Sequence, residues 1–135
     1  MRQRLLGLLA ALLVAGTAVA QDAKTAITST IQSQIDAFLA DDFDRAFTFA
    51  SPNIKRMFGS SERFGAMVRQ GYPMVWRPGD VRYLELEQMG SVRLQRVLIT
   101  DAQGVPHLLE YQMIETSDGW QINGVRILEV PQVGA

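Results

Sequence analysis

His107 and Tyr111 are two residues of this 135-residue sequence that would suit a general acid and base acting as a pair. They belong to a segment in which every second residue is apolar, aromatic or histidine: Val105, His107, Leu109, Tyr111 and Met113. A period of two predicts a β-strand with this set on its buried side. An imidazole and a phenol there provide proton-transfer groups, but a packed core also accommodates both when their hydrogen bonds are satisfied. The segment is therefore the first candidate for a functional site.

Other catalytic and metal-binding patterns are missing from the sequence. It contains no cysteine, which excludes a thiolate nucleophile, a disulfide framework and a zinc knuckle. One histidine does not supply the H-E-x-x-H motif, and neither G-x-S-x-G nor a phosphate-binding glycine loop occurs. We therefore predict no dedicated catalytic residue, no metal site and no cofactor.

The densest acidic cluster, Asp41, Asp42 and Asp44, offers the oxygen ligands that a divalent cation prefers. The cluster also lies at the start of an apolar pattern typical of a short helix. Carboxylates there accept hydrogen bonds from free N–H groups and interact favourably with the helix dipole. We therefore predict that this cluster caps a helix and does not bind a metal.

Four helical segments are predicted before residue 72. The first is a helix of about 17 residues, indicated by spacings of three and four between Ile27, Ile31, Ile35, Phe38 and Leu39. A second short helix follows the acidic cluster. The third starts at Ser51-Pro52 and the fourth at Ser60 or Ser61, since serine favours the N-cap and proline the first helical position.

After a joint rich in proline and glycine, around residues 73–79, the apolar period changes from 3.6 to two. Four strands are predicted, over residues 81–89, 92–100, 105–116 and 120–130. Because the turns between them are short, the strands form an antiparallel meander.

The apolar positions change parity within two of these strands. We therefore expect one β-bulge at Gln95-Arg96 and another at Asn123-Gly124, both of which would bend the sheet. The predicted fold is α+β, a cone in which N-terminal helices pack on a strongly curved four-stranded antiparallel sheet.

Residues 1–20 have the pattern of a secretory signal peptide. Arg2 and Arg4 precede an apolar run that is too short for a typical membrane span, and Ala18-Val19-Ala20 matches a cleavage site. We predict cleavage after Ala20 and a periplasmic protein without a membrane anchor.

Residues 21–135 are predicted to form one domain, with a core of about 25–131. Cleavage would remove two arginines and leave 11 basic residues against 14 acidic ones. That balance argues against binding to nucleic acid, which requires a basic surface.

Two segments resemble a bacterial family: AFTFASPNIKRMF at residues 46–58 and DGWQINGV at residues 118–125. Two further features belong to the resemblance: the Phe64…Met67-Val68…Tyr72 spacing and the strand Gln95-Arg96-Val97. From about residue 26 to residue 130 the chain resembles the exported proteins grouped as domain of unknown function 4864. That family is similar to the nuclear transport factor 2-like superfamily, which implies the cone architecture. The resemblance implies no activity, because the superfamily includes isomerases, dehydratases, immunity factors and binding or dimerisation modules.

The candidate pocket is the interior of the cone. Its predicted lining combines inward side chains of the third strand with aromatic residues of the joint: Tyr72, Trp76, His107, Tyr111 and Met113. We predict a periplasmic binding or interaction module for a small apolar ligand or a protein partner. An alternative is an acid–base isomerase or dehydratase that uses His107 and Tyr111, so enzymatic activity is left open. A further alternative is a structural homodimer formed through the sheet, without a ligand.

Overall fold

A computed structural model describes the backbone of residues 2–129 and the side chains of residues 21–129. In this part of the chain five helices precede four strands. The helices are α1 (Arg2–Leu39), α2 (Phe43–Thr48), α3 (Pro52–Phe58), α4 (Ser61–Gly71) and α5 (Pro73–Trp76). The strands are β1 (Pro78–Met89), β2 (Val92–Asp101), β3 (Pro106–Thr116) and β4 (Gly119–Leu128). The predicted α+β class, with helices before a four-stranded antiparallel sheet, is confirmed.

Helix α1 buries the face that its periodicity predicts. Ile27, Ile31, Ile35 and Phe38 have no exposed surface, whereas Leu39, at the end of the helix, is 47% exposed. The helix is longer than predicted, because it begins at Arg2. Its first part coincides with the predicted signal peptide, whose side chains lie outside the described residues, so cleavage after Ala20 stays a prediction. Within residues 21–129, no helix is long and apolar enough to cross a membrane.

The helix starts follow the capping pattern of the sequence. Asp42, Ser51 and Ser60 each accept a hydrogen bond from the backbone N–H three residues later, and they begin α2, α3 and α4. The acidic cluster therefore contributes an N-cap, as predicted. The short helix α5 was not predicted; Pro73 occupies its first position, where the missing N–H costs nothing.

The sheet is an antiparallel meander in the order β1-β2-β3-β4, as predicted. The helices pack on one face, through contacts of α5 with β1 and β2 and of α1 and α3 with β4. The side chains of the sheet that are buried against the helices are Val97, Ile99, Leu109, Tyr111, Met113 and Ile122. This layer of helices on a curved sheet is the arrangement that the sequence predicts.

The structure confirms one predicted bulge and corrects the other. In β4, Gly124 pairs with Gln112 and Ile122 with Met113, so Asn123 is the extra residue, as predicted. The bulge predicted at Gln95-Arg96 is wrong, because β2 pairs with β3 without a register shift.

The irregularity lies instead in β1, where two residues, Leu84 and Glu85, stand opposite Arg96 alone. Gln95 occupies the inward position of β2 and is fully buried. Its Nε2 donates to the carbonyl oxygens of Leu84 at 3.0 Å and Arg96 at 2.9 Å. This inward position therefore holds an amide in place of an apolar side chain, and the amide satisfies a carbonyl oxygen of the β1 bulge.

The opposite face of the sheet, here called the outer face, carries apolar side chains that are half-buried and do not belong to the core: Val92, Leu94, Leu98, Leu108, Ile114 and Leu128. A row of alternating charges, Glu85, Arg96, Glu110 and Arg126, crosses it from β1 to β4. Arg96 Nη1 lies 2.8 Å from Glu85 Oε1, and Arg126 Nη2 lies 2.8 Å from Glu110 Oε1. The outer face therefore combines apolar patches with ions that are already paired.

Candidate functional site

A cavity of about 220 Å³ lies between the helices and the β4 side of the sheet. One wall comes from α3 and α4, with Ile54, Met57, Phe58, Phe64, Met67 and Val68. The opposite wall comes from the strands, with Tyr111, Ile122, Gly124 and Val125. The cavity opens to solvent beside Met57, whose side chain is 72% exposed. Within the described residues, no charged side chain lines it.

Aromatic packing shapes the inner end of the cavity. The ring of Phe64 lies 5.9 Å from that of Phe38, 5.2 Å from that of Phe47 and 5.7 Å from that of Phe58, measured between centroids. The three ring pairs are stacked, tilted and edge-to-face, respectively, and such contacts restrict movement of the rings. The apolar wall is therefore pre-formed rather than assembled around a ligand.

Three polar side chains interrupt the apolar lining, and two of them have a protein partner. Gln34 Nε2 donates to the carbonyl oxygen of Ala46 at 3.1 Å, and the Tyr72 hydroxyl donates to the carbonyl oxygen of Val125 at 3.0 Å. The Tyr111 hydroxyl is buried and has no hydrogen-bond partner among residues 21–129. Burial raises the pKa of Tyr111, so this phenol stays protonated at neutral pH.

Of the five predicted lining residues, the structure places Tyr72 and Tyr111 at the cavity. Trp76, His107 and Met113 lie elsewhere. Met113 is fully buried opposite Ile122, where it fills the core. These three residues do not belong to the lining of this cavity.

Trp76 is turned toward the end of α1. Its Nε1 donates to Asp41 Oδ1 at 3.0 Å, and the Arg77 guanidinium lies over its ring at 4.1 Å from the centroid. Arg77 Nη2 also contacts both carboxylate oxygens of Asp41, at 2.8 and 2.9 Å. The indole, the guanidinium and the carboxylate thus form a contact that joins α5 to the α1–α2 loop, and it leaves Trp76 no role at the cavity mouth.

His107 is hydrogen-bonded within the β2–β3 hairpin. Its Nε2 lies 2.9 Å from Asp101 Oδ2, and Asp101 Oδ1 accepts the backbone N–H groups of Gln103 and Val105. His107 and Tyr111 are four residues apart on one strand, roughly 13 Å at the usual rise. They therefore do not meet at one substrate atom, and the predicted acid–base pair does not form.

The comparison with protein families agrees with the resemblance seen in the sequence. Residues 20–135 match the family described as Domain of unknown function (DUF4864). The chain belongs to this family. No curated protein matches this DUF4864 chain.

Several solved structures resemble the DUF4864 chain in fold at low sequence identity. A SEC-C motif-containing protein from Rhodopseudomonas palustris has a TM-score of 0.50 at 15% identity, over 70% of this chain and 72% of that one. An NTF2-like protein of unknown function from Burkholderia xenovorans has a TM-score of 0.47 at 15% identity, over 80% and 89%. A putative NTF2-like transpeptidase from Campylobacter jejuni has a TM-score of 0.48 at 11% identity, over 67% and 90%. At these identities the likeness concerns the fold alone.

Sequence reasoning missed the helical wall and Gln34 of the DUF4864 cavity. The signal for Gln34 was present, because it lies three residues after Ile31 and seven after Ile27, on the buried stripe of α1. A polar residue on such a stripe needs a partner or a polar surface. Periodicity indicates the inward side chains of α4, but it does not show that their packing leaves a space, and Met57 of α3 is 72% exposed.

Proposed function

We propose that this protein is a periplasmic binding module for a small, uncharged and mainly apolar molecule. The observation that carries the proposal is the pre-formed apolar cavity, which has no charged residue in its described lining. Such a lining favours neutral ligands, because a buried ion would lack a counter-charge.

The size of the cavity limits the ligand. Its volume of about 220 Å³ lies below that of common drug-sized sites and above the ~150 Å³ of an engineered cavity that binds benzene. A single ring with a short substituent therefore fits. Transfer of roughly 150 Å² of apolar ligand surface from water is worth about 4 kcal/mol before the cost of association, so apolar burial alone supports a dissociation constant of about 1 mM at best.

The periplasmic part of the proposal rests on the sequence. The basic start, the apolar run and the A-x-A site of residues 1–20 have the pattern of a cleaved signal. Detection of a chain that starts at Gln21 in the periplasmic fraction would support this part. A full-length chain retained in the cytoplasm would contradict it.

Ligand binding is tested by titration of the protein with neutral monocyclic aromatic probes, followed by ¹H–¹⁵N NMR. We expect concentration-dependent shifts at Tyr72, Ile122 and Gly124. The substitution Val125→Phe places a larger side chain in the cavity wall and should weaken binding at least about tenfold. Val105→Phe, at a residue 49% exposed in the β2–β3 hairpin, is the matched control and should bind like the parent. The absence of saturable shifts at the cavity with every probe would reject the proposal.

We propose a homodimer through the outer face as the second candidate function, because the charge row is self-complementary. Consider a two-fold axis that runs parallel to the strands and passes between β2 and β3. It places Arg96 opposite the partner's Glu110 and Arg126 opposite the partner's Glu85. The apolar neighbours also match, with Leu98 opposite the partner's Leu108. An isologous interface requires this kind of self-matching.

A charge-swap experiment tests the homodimer. Glu85→Arg alone and Arg126→Glu alone each put like charges opposite one another at positions 85 and 126. The two-fold axis repeats this contact, so the dimer of each variant should dissociate into monomers in sedimentation velocity at tens of micromolar. An equimolar mixture of the two variants restores opposite charges and should form a heterodimer. Leu94→Lys should also dissociate the dimer, whereas Leu39→Lys, at an exposed residue of α1, is the control. A parent protein that sediments as a monomer throughout would contradict this candidate.

A further inference from the structure

We infer that the ligand of the cavity is a neutral carbonyl compound whose oxygen accepts a hydrogen bond from Tyr111. This inference rests on the proposed function and names the chemical class that the site takes. It starts from one observation: the Tyr111 side chain is fully buried and lines the cavity, and its hydroxyl has no partner in the described part of the chain.

A buried hydroxyl without a partner is unusual, because buried polar groups are hydrogen-bonded in the large majority of cases. The neighbouring polar groups do not satisfy it. The Tyr72 hydroxyl proton is held by the Val125 carbonyl oxygen, and the Gln34 amide donates to the Ala46 carbonyl oxygen. Among the described residues, Tyr111 is therefore the member of the cavity lining whose side-chain polar group is buried without a partner.

The lining selects among acceptors. A carboxylate or phosphate would be buried without a cation, since the described lining contains no charged side chain. An alcohol or a primary amide brings donors of its own, which would need further acceptors in a mainly apolar space. A ketone, aldehyde or ester oxygen accepts one hydrogen bond and adds no donor. The remaining atoms of the ligand then contact the apolar walls of α3 and α4.

The test compares two probes of nearly equal shape, acetophenone and α-methylstyrene, which differ by C=O against C=CH₂. Both are titrated against protein expressed from the full chain, and dissociation constants are measured by NMR. A site with a free donor should prefer acetophenone by about tenfold, which is 1.4 kcal/mol. In Tyr111→Phe the preference should be lost or reversed, because the carbonyl oxygen is then buried without a donor. The control is Tyr83→Phe, which removes a tyrosine hydroxyl outside the cavity lining and should keep the preference.

The outcomes separate this inference from the proposed function. Equal affinities in the parent protein overturn the carbonyl assignment but leave the cavity as a binding site. A preference for acetophenone that persists in Tyr111→Phe also overturns it, because another group then supplies the donor. If neither probe causes saturable shifts at the cavity, the proposed function fails and the inference fails with it.

Discussion

Ser51 Oγ donates a hydrogen bond of 2.7 Å to Asn123 Oδ1, joining residues 72 positions apart. Ser51 is fully buried, and its backbone N–H also donates to the Ile122 carbonyl oxygen at 2.8 Å. Ile122 in turn donates to the Phe49 carbonyl oxygen at 2.9 Å. The segment after α2 thus runs beside β4 as a short parallel bridge. The two segments that carry the family resemblance are therefore in contact, and they place Ala50 and Ile122 in the cavity wall.

Ser51→Ala should destabilise the protein by about 2 to 3 kcal/mol, because it removes the bond to Asn123 and also the N-cap of α3. Ser60→Ala removes the N-cap of α4 alone and should cost about 1 kcal/mol. Urea unfolding of both variants measures the difference. Equal costs would show that the Ser51–Asn123 bond contributes nothing beyond capping.

The β4 bulge at Asn123 was predictable from the sequence, whereas the role of Gln95 was not. Both segments show a change of parity among apolar residues. At Asn123 the extra residue resolves the change, and its Nδ2 finds Gln112 Oε1 at 3.1 Å. At Gln95 a buried amide resolves it by hydrogen bonds to the neighbouring strand. Parity alone does not distinguish the two solutions, because the partners lie on a strand distant in sequence.

Tyr111→Phe should leave the stability of the ligand-free protein unchanged or raise it by about 1 kcal/mol, because the hydroxyl that it removes is buried without a partner. Tyr72→Phe should lower stability by about 1 kcal/mol, because it removes the bond to the Val125 carbonyl oxygen. Thermal unfolding of the two variants gives the comparison. A clear loss of stability in Tyr111→Phe would show that its hydroxyl is paired in solution.

The cavity itself could not be predicted from periodicity. The sequence indicates which residues of α3 and α4 point inward, but the space depends on how their side chains meet Tyr111 and Val125 across the sheet. His107 differs for a related reason. Strand parity places it on the inner face, and it does pair with the buried Ile99 there, but it lies at the hairpin end of the strand, where Asp101 is in direct contact with it.

Acid should weaken the β2–β3 hairpin through Asp101. The hydrogen bond from His107, followed by that from the Val105 N–H, holds the pKa of Asp101 below its usual 3.8. Because the pKa of Asp101 is lower in the folded state than in the unfolded state, its ionised form stabilises the fold. This stabilisation is complete above the unfolded-state pKa and is lost as the pH falls through the folded-state pKa. Asp101→Asn should therefore be less stable than the parent at neutral pH, and the difference should shrink below about pH 4. Unfolding by urea across the acid range tests this; a difference independent of pH would contradict it.

Gly65 of α4 is required because the ring of Phe43 packs directly against its backbone. A Cβ at this position would lie 2.5 Å from Phe43 Cδ1, much closer than van der Waals contact allows. Phe43 also contacts Phe38, with ring centroids 6.1 Å apart, and Arg69 lies over its ring, so the ring is held from several sides. Gly65→Ala should therefore lower the free energy of unfolding by about 1 to 3 kcal/mol, despite the better helix propensity of alanine.

Gly71→Ala is the matched control in the same helix, because a Cβ there meets nothing within 4 Å. It should be neutral or stabilise by up to about 1 kcal/mol. If both variants unfold at the same urea concentration as the parent, Phe43 moves freely and does not help to hold α4 against α1.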